Sequence, residues 1–539
     1  MAYDSGQSTT IAAGQDALLG GNVEVDGTTS NVTITTGRDI TGSGTVQAGQ
    51  DTTLTAGRNL SMTGTIKTGN NLGLQAGQDL TVGPTLAAGG TETVTATNGS
   101  ATLGGAALSA GDMRVTAGTD VTTQGSVESL GNLTLTAQSG SLSANGPVQA
   151  AGNATLNAGQ TLGLNGATTV SRNLTLTGNN ITTQGVAVGG NLSATAQNNL
   201  DTSAAQVNST ALDPTAPITA NTPAFTSVNG TATLKGAHVT TVNAVIGGAY
   251  NATGTSSLTT GGKAIYLAGA NLNGGTVTNV GQQLANGNLN VSGTTVSNQG
   301  VLSSQAASTI TATDLTNSGL VQGLTNTLNV ANSTTNTGAL VGVNALNLNT
   351  TSLNNSNGII FAGNLAAPSA VTGDATVTVT GGNGSFINTN GEILGAKKRL
   401  RWPQTWSKTE KFSATQRSAA GQSADSGVLL REPVLFLTAA RSRSAGTWVA
   451  GFATPPMRSR RTPRRKRCPD PQLKPCQQRP NRPDRSQGQG HRQRRQAALG
   501  QQGRDESQGE HREQNFPASH AAHRRVMASW TAMLSTAKS

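Results

Sequence analysis

Neither cysteine nor tryptophan occurs before residue 397, and that stretch carries only six aromatic side chains: Tyr3, Phe225, Tyr250, Tyr266, Phe361 and Phe386. Without thiols there is no disulfide framework, and a Cys-free repetitive segment suits a chain exported in a threadable state. With 34% apolar residues and 3% aromatics, several wide globular cores cannot be filled. At 11% charged residues the chain also lacks the self-repulsion that usually drives electrostatic disorder. No window reaches the length of a membrane span. Met1-Ala2-Tyr3-Asp4 opens without a basic segment or an apolar run, so no signal peptide is legible. The expectation is either a cytoplasmic chain or an internal piece of a longer exported protein.

The charge is divided unevenly. Residues 1–396 hold 7 Lys/Arg and 16 Asp/Glu, whereas residues 397–539 hold 29 and 9, so the net +11 of the chain belongs to the tail. A narrow, repeated core is therefore expected over 1–396, followed by a basic region of low order.

What is abundant is glycine, 69 residues, and it is periodic. One series runs Gly37-Arg38-Asp39-Ile40, Gly57-Arg58-Asn59-Leu60 and Gly77-Gln78-Asp79-Leu80; a second runs Gly49, Gly69 and Gly89. Further along, an Asn-x-Gly series places Asn279, Asn298, Asn317 and Asn336 at one repeat position, with Asn357-Gly358 following. Between these corners the residues alternate, as in Asn31-Val32-Thr33-Ile34-Thr35 and Leu133-Thr134-Leu135-Thr136, which is the period of a strand. The Ala/Leu/Glu/Lys blends of solenoid helices are missing, as is a dense leucine ladder.

Strands recurring at this interval, joined by short Gly/Asn/Asp corners, predict an all-β fold, a right-handed parallel β-helix. About 20 coils would span roughly 95 Å. Glycine is expected to supply positive φ at the corners. Asn298, Asn317 and Asn336 are expected to stack as an amide ladder inside the rod, each worth on the order of 1 kcal/mol. Pro214, Pro217 and Pro223 interrupt the rhythm and suggest a loop insertion at about 201–260.

The blocks Ala76-Gly77-Gln78-Asp79-Leu80-Thr81, Gly131-Asn132-Leu133-Thr134-Leu135 and Leu315-Thr316-Asn317-Ser318-Gly319 resemble the haemagglutinin repeats of filamentous-haemagglutinin-type exoproteins. The resemblance covers about residues 10–396. It implies a bacterial two-partner secretion protein with a right-handed β-helical shaft, acting as an adhesin or carrying a toxin tip in contact-dependent inhibition. It further implies a cell-surface or extracellular location, host or neighbouring cells as partners, and an outer-membrane transporter if a secretion domain exists elsewhere. The Asn-Pro-Asn motif of that domain does not occur here, nor does Arg-Gly-Asp.

Catalytic chemistry finds little material. Polysaccharide cleavage on a solenoid needs paired carboxylates beside an aromatic groove, yet Asp39, Asp51 and Asp79 sit at repeat corners and read as structural. The calcium-binding Gly-Gly-x-Gly-x-Asp pattern fails at Gly381-Gly382-Asn383-Gly384-Ser385-Phe386. His238 stands alone in sequence. In the tail, Cys468 and Cys476 are spaced too widely for a Cys-x₂₋₄-Cys zinc pair, and His520 and His523 have no cysteine nearby. No enzyme, cofactor or metal is expected.

The run Arg458-Ser459-Arg460-Arg461-Thr462-Pro463-Arg464-Arg465-Lys466-Arg467 could neutralise phosphates, so nucleic-acid binding or a toxin-type activity through residues 397–539 is the alternative. The abrupt change after Gly395-Ala396 and the Arg/Gln/Pro composition also fit a displaced reading frame or a native disordered tail. The leading expectation is a non-enzymatic adhesin shaft, with nucleic acid the less favoured partner.

Overall fold

The computed structural model describes residues 3–4, 7–202, 226–364, 371–382 and 384–401. They form a parallel β-solenoid of about 18 turns, with no α-helix among them. At the strand spacing of a sheet, these turns stack over roughly 86 Å.

One coil shows how the sequence builds the rest. Val46–Ala48, Thr52–Ala56 and Leu60–Met62 are three short strands separated by Gly-containing corners. Each pairs in parallel with its counterpart one coil later: Val46 with Ile66, Thr52 with Leu72, Leu60 with Leu80. Three parallel sheets therefore run the length of this half. Successive strands in a ladder are mostly 18 to 23 residues apart, and a longer interval such as the 33 residues from Leu353 to Phe386 still preserves the pairing. In the second half the corners flatten and strands merge, as in Ala232–Ile246, Tyr250–Tyr266 and Leu320–Asn336.

The alternation read from the sequence is the alternation of burial. Along Leu72–Ala76, Leu72, Leu74 and Ala76 are buried while Gly73 and Gln75 face outward. Inward Val, Ile, Leu and Ala from successive coils form one continuous thin core from Ala17 to Leu400. With period two, strand phase alone decides which side chain leaves water.

The corner glycines differ from expectation in their reason. Positive φ is confined to Gly262, Gly363, Gly384, Asn243, Asn357 and Asn390 among the described residues, so Gly37, Gly57 and Gly77 do not serve left-handed turns. A Cβ on Gly57 would overlap the carbonyl oxygen of Gly37, and one on Gly77 that of Gly57. The glycine column lets consecutive backbones stack at sheet distance where the chain bends.

Two boundaries shift. Of the stretch 201–260 expected to hold a loop insertion, residues 226–260 are regular coil: Val186 pairs with Thr226 and Leu192 with Ala232. Residues 203–225, with all three prolines, lie outside the described residues. The solenoid also extends past 396, because Lys397–Arg401 pairs with Asp374–Val379 and buries Leu400. The remainder of the basic region, residues 402–539, lies outside the described residues.

Candidate functional site

Polar side chains in this fold organise into columns, because residues at one coil position are brought within hydrogen-bonding range of each other. At the corners of the first half, an Asp or Asn side chain accepts the backbone N–H of its successor. Asp39 Oδ1 accepts from Asn59 N at 3.0 Å, Asn59 Oδ1 from Asp79 N at 3.2 Å, and Asp79 Oδ1 from Ser100 N at 2.9 Å. A second corner column carries Asn31, Asp51, Asn71 and Thr91 in the same way. Asp39, Asp51 and Asp79 thus satisfy backbone donors that a bend would otherwise leave open.

Arg38 and Arg58 decorate the corner column. Arg58 Nε donates to Asp39 Oδ1 at 2.9 Å and Arg38 Nε to Asp16 Oδ1 at 2.7 Å. The Arg58 guanidinium holds the Asp39 carboxyl down at about 2. Both pairs are exposed and contribute little to stability.

In the second half a column moves inside. Asn279 Nδ2 donates to Asn298 Oδ1, Asn298 to Asn317, and Asn317 to Asn336, each at 2.7 Å. Two members without a signal in the Asn-x-Gly series continue it: Asn336 donates to Asn355 at 2.6 Å and Asn355 to Asn388 at 2.7 Å. Thr260 starts the chain by donating its hydroxyl to Asn279 Oδ1 at 2.9 Å. Each amide also reaches a backbone carbonyl; Asn317 Nδ2, for instance, lies 3.2 Å from both Gly319 O and Ala339 O. The amides run head to tail in a dry interior, where their dipoles reinforce one another. The series read from the sequence continued at Asn357, but that residue is exposed at positive φ, and it is Asn355, 19 residues after Asn336, that enters the ladder, followed by Asn388 after an interval of 33.

Next to the ladder's start lies a buried aromatic pair. Tyr250 and Tyr266 stack with ring centroids 4.6 Å apart, and Tyr266 Oη donates to Gln283 Oε1 at 2.6 Å. Burial pushes the Tyr250 phenol up to about 12, with Thr241 opposing, and also holds that of Tyr266 well above its ordinary value. These phenols stay neutral and act as packing and hydrogen-bonding groups.

One buried residue has no such partner. Glu92 is 0% exposed, and neither carboxyl oxygen meets a hydrogen-bond donor. Loss of hydration raises its pKa to about 8. Its inward phase was readable in Glu92-Thr93-Val94-Thr95-Ala96, where it stands in register with Leu72.

One outward sheet face is rich in hydroxyls. Thr33 and Thr35, Thr53 and Thr55, Thr93 and Thr95, and Thr134 and Thr136 form outward pairs on one sheet. His238 Nδ1 lies 2.8 Å from Ser257 Oγ in an exposed cross-coil contact. An open groove lined by Ala249, Leu267, Gly269, Asn271, Asn288 and Asn290 contains no titratable side chain. Among the described residues no three His, Cys, Asp or Glu gather into a metal-binding group. The tail residues Cys468, Cys476, His520 and His523 and the run Arg458–Arg467 lie outside the described residues. Searches of family models, curated proteins and solved structures return no match to this chain.

Proposed function

We propose that this chain is the non-enzymatic shaft of a bacterial surface or secreted adhesin of the filamentous-haemagglutinin type, attaching to host or neighbouring cells. The observation that carries the reading is the unbroken parallel ladder from Thr9 to Arg401, a fold that extends by repetition and spends its polar groups on holding coils together. Outward rows of Thr and Asn present a hydrogen-bonding surface along it, and such a surface suits broad, multipoint contact. Export and an outer-membrane transporter belong to the same proposal.

The basic run Arg458–Arg467 favours a second reading, nucleic-acid binding through the tail. The two respond oppositely to one truncation. Deleting residues 402–539 keeps the last described strand and should leave cell attachment, measured by flow cytometry, intact. Nucleic-acid binding should disappear with that deletion and weaken steeply with salt in the full chain. A truncated chain with no affinity for cells, beside a full chain that binds one nucleic acid specifically, would reverse the ranking.

A further inference from the structure

We propose that Glu92 is a proton-controlled opening point in the solenoid: the coils around it stay closed while its carboxyl is protonated and open locally once it ionises. Three observations converge on it. Glu92 sits in an inward column between Leu72 and Met113, so aliphatic and thioether groups lie directly above and below the carboxyl. Neither oxygen has a donor within reach. It is also the one acidic or basic residue buried among the described residues.

No neighbouring charge offsets this placement. Strand Leu72–Ala76 contributes no titratable group. Strand Met113–Ala117 contributes Arg114, which is exposed and paired in register with outward Thr93. Across the core, Leu80–Val82, Thr85–Ala88, Ala101–Leu103 and Ala106–Ser109 carry none. An ionised carboxylate here has neither solvent nor counter-ion, so opening the coil is its route to hydration.

The sign follows from linkage. The closed coil binds the proton more tightly than the open one, so opening releases a proton whenever the pH lies between the two pKa values. The carboxyl's contribution to closure is fully present below its ordinary value of 4.5 and is progressively lost up to about 8. Over that window the opening equilibrium constant should rise about tenfold per pH unit. In a solenoid each coil contacts only its neighbours, so the effect stays local.

Native-state hydrogen exchange on the full chain tests this, with rates corrected for intrinsic exchange at each pH. Protection of Leu72–Ala76, Glu92–Ala96 and Met113–Ala117 should fall about tenfold per unit from pH 5 to 8, while Leu289–Asn298 holds constant. Glu92→Gln should abolish the slope, and Glu92→Leu, which matches its neighbour Leu72, should abolish it and raise protection. A flat wild-type profile, a slope that persists in either variant, or an equal slope in the distant coil would overturn the proposal.

Discussion

Replacing Asn317 probes the amide ladder at its centre. The residue is 0% exposed, accepts from Asn298 Nδ2 and donates to Asn336 Oδ1, both at 2.7 Å. Asn317→Ala removes two ladder bonds and leaves Asn336 Oδ1 without its donor from Asn317, in an interior that water does not reach. At about 1 kcal/mol for each of the two net bonds plus 1–3 for a stranded buried group, the cost is about 3–5 kcal/mol. That exceeds the figure of order 1 kcal/mol expected from sequence, because the amide is wholly enclosed. Asn317→Asp keeps the shape but points a carboxylate at Asn336 Oδ1, Gly319 O and Ala339 O, three acceptors with no proton between them. Its cost at neutral pH should be on the order of 4 kcal/mol. Because only the protonated acid can donate there, the introduced group's folded pKa lies above its unfolded value. The penalty should therefore shrink as pH falls and reach its full size above the folded pKa. Urea midpoints and hydrogen exchange in Leu289–Asn298 and Leu320–Asn336 measure both variants. Equal midpoints for wild type, Ala and Asp would refute the ladder's energetic role.

Gly57→Ala should destabilise or misfold the first half, since its Cβ would overlap the Gly37 carbonyl, whereas Gly20→Ala, which meets nothing within 4 Å, should leave the thermal midpoint unchanged. Equal effects of the two would refute the close-approach account of the glycine column. Tyr266→Phe removes the hydroxyl that donates to buried Gln283 and should cost about 1–3 kcal/mol while leaving the far-UV spectrum intact; a neutral result would mean that the glutamine re-pairs.

Local patterning is what the sequence settles for this protein. Alternation across Val32-Thr33-Ile34-Thr35-Thr36 dictates strand, and recurrence of Gly37, Gly57 and Gly77 dictates a coil, because both depend on neighbours within one repeat. The stacking of Asn298, Asn317 and Asn336 was legible for the same reason: equal spacing becomes vertical alignment. Interval could not reveal the ladder's last member, Asn388, since a 33-residue stretch separates it from Asn355. Nor could it reveal that 226–260 rejoins the ladder after Asp201. Only the stacked structure assigns the corner glycines to close backbone approach, since the obstructing carbonyl belongs to another coil. It likewise decides that Glu92 is enclosed while Asp39 meets Arg58, because the solvation of a carboxyl is set by the coils above and below it, residues distant along the chain.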